Sequence, residues 1–259
     1  MEDFVGAGSP MSQSGLDAAT AIDGIDSANL WAVLSVETSG CGFLADRRPK
    51  ILFERHIFSG LTAGAYDASN PDISSPTPGG YGPGGSNQYA RLQAAMELNQ
   101  EAALKSASWG LGQIMGENYS PAGFSDVDSM VSAMVSSEDA QLQAMAAFIS
   151  AQGMAQALQN QDWAGFARLY NGPNYAANNY DGLLRQFYAQ ISNGKMPDLT
   201  VRAAQVYLTY RGFDLGNIDG IAGPNTVAAV KSFQASIGVP VTGLINPQLI
   251  QALPSSSSP

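Results

Sequence analysis

Cys41 and His56 are the only cysteine and the only histidine in 259 residues. No intrachain disulfide can form, and a zinc site built from several Cys or His ligands is excluded. The fold must therefore stand on its apolar core. A chain of this length can bury one sizeable core with a smaller second one, or two of medium size. The segments that build such cores are recognised by the spacing of their apolar residues, and most of this chain reads at the helical period.

The first 25 residues are rich in Gly, Ser and Ala, with a short helix expected in LDAATAIDGI. A firmer helix starts near Asp26 or Ser27, either of which suits an N-cap, and ends before Gly40, a natural left-handed C-terminal position. PKILFERHIF, rich in branched and aromatic residues, fits a strand or an extended piece running into a helix. From Ser59 to Asn87 the chain is dominated by Gly, Pro, Ser, Asn and Tyr, a length that marks a lid, a groove wall, a disordered insert or a tolerated surface insertion. Helices follow in QYARLQAAMELNQEAALKSA, in DVDSMVSAMVSSEDAQLQAMAAFISAQG with a break around 136–138, in QDWAGFARLY and in NNYDGLLRQFYAQIS. Met130, Met134, Met145 and Met154 are read as core filling on these helices.

SNGKMPD, Ser192 to Asp198, is a linker by composition. Beyond it, VRAAQVYLTYRGF places Val201, Ala204, Gln205 and Leu208 on one helical face. NTVAAVKSFQASIG does the same with Val227, Val230, Phe233 and Ile237, with Asn225 as the expected N-cap. NPQLIQAL offers Asn246 as a cap and Pro247 at the first helical turn, where a missing donor costs least. Three short helices make a small independent module, followed by a disordered tail at 254–259.

Within the helix near residue 30, Leu30, Val33 and Leu34 mark the apolar face, and the i, i+3, i+4, i+7 rule puts Glu37 next on it. A carboxylate thus stands where a leucine is expected. In such surroundings desolvation holds a carboxyl in its protonated form, which suits a general acid. A carboxylate at a helix end that simply reaches solvent is the plain alternative.

The formal net charge of −10 lies wholly in residues 1–197, because beyond them Asp198, Asp214 and Asp219 balance Arg202, Arg211 and Lys231. An acidic body without a basic cluster argues against nucleic acid and against an anionic membrane surface as partner. No apolar run reaches the roughly 20 residues of a membrane-spanning helix. MEDFVGAGSPMSQSG has neither the cationic start nor the apolar block of a secretory signal, so action outside the cytoplasm is expected to need release by other means.

The pieces WAVLSVETSGCGFL, RPKILFERHIF, SASWGLGQIMG and FARLYNGPNYAANNYDGLL, in that order, resemble the N-acetylmuramidase family of phage-type endolysins. DGIAGPNTVAAVKSFQ and its surroundings resemble the three-helix peptidoglycan-binding domain attached to many cell-wall hydrolases. The resemblance implies a mainly α protein: a lysozyme-like α+β catalytic domain at 26–192, with many helices and a small β element, and a binding domain at 198–253. It implies hydrolysis of the glycan strand of peptidoglycan between N-acetylmuramic acid and N-acetylglucosamine, with no metal or organic cofactor. The partner is peptidoglycan and the enzyme is expected to be a monomer. It would stay in the host cytoplasm until released to the wall through a pore or by lysis; export by a dedicated bacterial machine is the alternative.

Glycosidic cleavage needs a protonated carboxyl to assist the leaving oxygen, and usually a second group that stabilises or attacks the oxocarbenium-like transition state. The family resemblance assigns Glu37 to the first task. Glu54, in the next matching block, is the candidate for the second, against a plain salt bridge with Arg47, Arg48 or Arg55; Asp46 is a weaker option beside two arginines. SASWGLGQIMG resembles a cleft-lining block, in which Ser108 and Gln113 offer hydrogen bonds to sugar hydroxyl or acetamido groups, while Trp109 is read as packing. Tyr170 and Asn171 precede a Gly-Pro break, so they are expected at a helix end facing a groove. The rival readings are a lytic transglycosylase on the same bond, a Cys41/His56 amidase or peptidase, and a wall-binding protein without catalysis. Deleting residues 193–259 is expected to slow lysis of walls more than hydrolysis of short soluble fragments, because tethering raises the effective concentration of bonds.

Overall fold

A computed structural model describes residues 4–38, 40–194 and 196–255. In chain order the elements are α1 (Gln13–Asp23), α2 (Ser27–Thr38), β1 (Ile51–Phe53), α3 (Arg55–Leu61), α4 (Asn87–Leu98), α5 (Gln100–Lys105), β2 (Ala107–Trp109) and β3 (Ile114–Met115). They continue with α6 (Val127–Ser136), α7 (Glu138–Ala151), α8 (Ala155–Gln159), α9 (Trp163–Asn171), α10 (Tyr180–Asn193), α11 (Leu199–Thr209), α12 (Pro224–Ser236) and α13 (Pro247–Ser255). The molecule is mainly helical with one small sheet, as expected.

α2 is the centre of the larger core. Asp26 caps it by accepting from Asn29 N at 2.7 Å. Leu30 through Leu34 are all buried, so the helix is apolar nearly all round its first turns rather than along one stripe. α10 packs along α2, and α1 packs along α7. The N-terminal stretch belongs to this core rather than preceding it as a separate segment: Phe4, Met11, Leu16 and Ala19 are buried in it. Ser12 caps α1, and Ser12 N donates to Asp139 Oδ1 at 2.8 Å across the packed pair. Sequence alone gives this stretch little weight because its apolar residues are few and widely spaced. Met130, Met134, Met145 and Met154 are buried as core filling.

Of the two forms expected for PKILFERHIF, the structure has the extended piece running into a helix: β1 at 51–53, then α3 from Arg55. β1 pairs antiparallel with β2, Ile51 opposite Trp109, and β2 pairs with β3, Trp109 opposite Ile114. The long helix expected in 88–107 breaks at Asn99, whose extended backbone ends α4 while its side chain caps α5 through Ala102 N. The break at 136–138 occurs as expected, with Ser137 as N-cap of α7.

The Gly- and Pro-rich stretch is a pinned wall of turns. Asp67 accepts from Ser59 Oγ at 3.0 Å and from Ser74 Oγ at 2.5 Å, and Tyr66 donates to Leu98 O at 3.0 Å. Gln88 Nε2 donates to Tyr81 O at 2.7 Å and Pro83 O at 2.8 Å.

The last three helices form a second core from Ala204, Val206, Leu208, Ala229, Val230, Phe233, Leu249 and Leu253. Asn246 caps α13 through Leu249 N at 2.9 Å. In α12 the cap is Gly223, one turn-setting residue before Pro224, so Asn225 is not the cap and is exposed. Accordingly the buried positions are Thr226, Ala229, Val230, Phe233 and Gln234, whereas Val227 is half-buried and Ile237 is exposed. α13 runs on through Pro254 and Ser255, and the rest of the expected tail lies outside the described residues.

Candidate active site

Glu37 is the next-to-last residue of α2. Burial pushes its carboxyl up to about 7, against the opposing effect of a hydrogen bond that Asn171 Nδ2 donates to Oε1 at 3.1 Å. At neutral pH such a group is shared between its acid and its carboxylate forms, which is the range a general acid needs. Asn171 ends α9, and Tyr170 beside it donates to Gly112 O at 2.6 Å. The Tyr170 ring stacks on Phe166 with centroids 5.1 Å apart. Burial, reinforced by the nearby Glu37 charge, holds its phenol well above the usual range. Tyr170 and Asn171 lie at a helix end, as expected from their position before the Gly-Pro break, and there Asn171 meets Glu37.

Glu54 is the N-cap residue of α3, yet its side chain does not cap the helix. Its Oε2 stands 3.2 Å from His56 Nδ1. Burial raises its carboxyl, while the nearby His56 and the Tyr81 phenol favour the ionised form. The alternative partners expected from sequence are engaged elsewhere: Arg48 pairs with Asp46 at 2.6 Å, Arg55 Nη1 donates to Pro71 O at 3.3 Å, and the Arg47 guanidinium lies 5.3 Å from the centre of the Tyr210 ring.

Two tyrosines stand near the carboxyls. Tyr180, at the start of α10, is raised by burial and then by the charges of Glu37 and Tyr81. Tyr81, delivered by the pinned wall, is raised by burial and by Glu54. Tyr180 thus lies near Glu37 and Tyr81, and Tyr81 lies beside Glu54. Sequence reasoning does not find Tyr81 or Tyr180. Tyr81 lies in a stretch without periodicity and Tyr180 reads as an ordinary amphipathic residue; an aromatic among Gly and Pro was the available signal for the first.

Ser108 and Gln113 have a different arrangement from the one their types invite. Ser108 Oγ donates to Gln113 Oε1 at 2.9 Å, and Gln113 Nε2 donates to Lys50 O at 3.2 Å and Gly110 O at 2.8 Å. Their polar groups strap the β2–β3 hairpin. The glycines serve the same packing: a side chain at Gly110, where φ is +68°, would meet Gln141 at 2.6 Å, and one at Gly112 would meet Met145 at 2.7 Å. Trp109 is fully buried and donates from its indole to Leu104 O at 3.1 Å, a packing residue as expected.

Cys41 and His56 do not have the environments of a dyad. Cys41 is buried in the second core, and burial pushes its thiol up to about 11. His56 faces Glu54.

Fold and site together define a lysozyme-like helical protein with an attached three-helix module. The chain belongs to the N-acetylmuramidase family, whose family model matches residues 26–192. Residues 198–253 match the model of a peptidoglycan binding domain. Among solved structures, that of Burkholderia AP3 phage endolysin is similar with a TM-score of 0.64 and 40% identity, over 71% of this chain and 71% of that one. A curated protein of Synechocystis sp., OxPP cycle protein OpcA, is 49% identical over 49 residues, which is 19% of this chain and 10% of that protein.

Proposed function

We propose that the chain is an endolysin that hydrolyses the β-1,4 bond between N-acetylmuramic acid and N-acetylglucosamine in bacterial peptidoglycan. Glu37 donates the proton to the leaving oxygen. Glu54 is the second carboxyl, and the C-terminal module holds the enzyme on the wall. The observation that carries this reading is a carboxyl raised to about 7 by burial at a helix end, with Asn171 donating to it. Tyr170 and Asn171 shape the same end of the cleft. Ser108 and Gln113 act by holding the hairpin that receives the Tyr170 hydroxyl at Gly112 O. Membership of the N-acetylmuramidase family and the likeness to a phage endolysin support the substrate. The acidic chain and the absence, among the described residues, of a helix long and apolar enough to cross a membrane are in keeping with it.

Purified walls should lose turbidity with the intact protein and keep it with Glu37→Gln, because general acid catalysis contributes about 10²–10⁴-fold. Mass spectrometry of the released fragments should show reducing muramic acid ends. Anhydro ends would reassign the protein as a lytic transglycosylase, and clearing by Glu37→Gln would remove Glu37 from the mechanism.

A further inference from the structure

We infer that the C-terminal module is a working part of the catalytic centre, with Arg202 on α11 acting as a positioning residue that fixes the turn behind Glu37. The inference rests on the reading of Glu37 as the acid, and it concerns what holds that residue in place.

The end of α2 leaves carbonyl groups without helical partners. Lys50 Nζ donates to Thr38 O at 2.8 Å from the sheet side. The carbonyl of Gly40, three residues beyond Glu37, is taken by Arg202 Nη2. This cation comes from beyond the point where the linker was expected. It is fully buried, and it pairs with an equally buried carboxylate on α7, Nη1 to Glu138 Oε2 at 2.5 Å and Nη2 to Glu138 Oε1 at 2.8 Å. Glu138 also accepts from Gly42 N at 3.0 Å and from Met11 N at 2.9 Å. The guanidinium lies 5.6 Å from the ring centre of Trp31, which is on α2 itself.

The turn is equally bound by packing. Cys41 and Phe43 are members of the module's core together with Ala204, Leu208 and Ile218. Gly40 has φ +84°, and a side chain there would strike the backbone carbonyl of Ile218. The two halves therefore meet backbone to backbone at the turn that follows Glu37. A bidentate, stacked guanidinium in this place has a fixed direction that an ammonium does not reproduce. A module serving only as an anchor would need neither a buried ion pair into the other domain nor two residues of that domain in its own core.

The test uses the full-length protein and two variants. Arg202→Lys keeps the charge opposite Glu138 but loses the planar fork. The double variant Arg202→Met, Glu138→Gln removes the ion pair as a unit, avoids a buried unpaired charge, and keeps an oxygen for Gly42 N. Thermal melting confirms that each is folded. Two readouts follow: the titration of the Glu37 carboxyl by carbon-13 NMR, and kcat and KM on soluble glycan oligomers, which need no anchoring. Tyr170 from α9, Tyr180 from α10 and Lys50 at Thr38 face this end of α2 and are unchanged in both variants.

The expected result is folded protein with the Glu37 midpoint moved down toward the ordinary carboxyl value as water reaches the loosened turn. With it kcat falls about 10- to 100-fold, the scale of a small misplacement of a catalytic group, while KM changes little. Wild-type kcat and an unmoved midpoint in folded variants would overturn the inference. So would collapse of the fold in both, since that assigns Arg202 to stability alone. A wild-type protein that cleaves no glycan would defeat the proposed function, while the Glu37 titration still decides the role of Arg202.

Discussion

Glu37 is held in a place that disfavours its charge, and that has consequences for stability as well as for chemistry. Its carboxyl is raised to about 7 in the fold, so the folded chain binds a proton that the unfolded chain, near 4.5, gives up more readily. Stability is therefore fully present at low pH and declines as pH rises through about 7, by on the order of 3 kcal/mol in all. Glu37→Gln should raise the melting temperature at pH 8 and change it little at pH 5, as followed by calorimetry. The Asn171 hydrogen bond favours the ionised form, so Asn171→Ala should move the alkaline limb of the pH-rate profile to higher pH. Sequence reached this pair by two separate routes, the apolar period for Glu37 and the helix end for Asn171. It could not join them, because their contact spans 134 positions and depends on how α9 meets α2. Tyr81 stayed hidden because its stretch has no periodicity, and Tyr180 because it reads as an ordinary amphipathic residue.

At the scale of elements, the β2–β3 hairpin shows what residue type alone leaves open when packing is unknown. Ser108 and Gln113 look like sugar ligands, yet Ser108 donates to Gln113, whose amide donates to the carbonyls of Lys50 and Gly110. Ser108→Ala should thus lower thermal stability more than it raises KM for glycan oligomers. Gly110→Ala combines a left-handed backbone with a clash against Gln141 and should cost roughly 1–3 kcal/mol, seen as a lower melting temperature. The helices were legible because their apolar spacing, caps and breaks are local: Asp26, one of the two caps offered, and Asn246 both cap, and the break at 136–138 falls where it was read. Asn99 was missed because a cap inside a continuous helical pattern is visible only once the chain turns there. The first helix was undervalued because its burial comes from α7, far along the chain.

For the whole molecule, two cores share one seam. Cleavable modules on a linker predict that removal of residues 193–259 spares hydrolysis of soluble fragments. The structure predicts otherwise, because removal strips Cys41 and Phe43 of their packing and leaves Glu138 buried without Arg202. A truncated chain should lose activity on soluble oligomers and on walls together, and should melt well below the intact protein. The two halves were legible as separate compositions and patterns. Their union was not, since a charge pair across 64 positions and a turn placed in the other half's core have no local signature. The most direct test of the account is kcat/KM for glycan hydrolysis measured against pH for the wild type and Glu37→Gln. The account predicts that wild-type activity falls as pH rises through about 7, and that the variant loses about 10²–10⁴-fold along with that limb. A variant with wild-type activity and the same limb would contradict it.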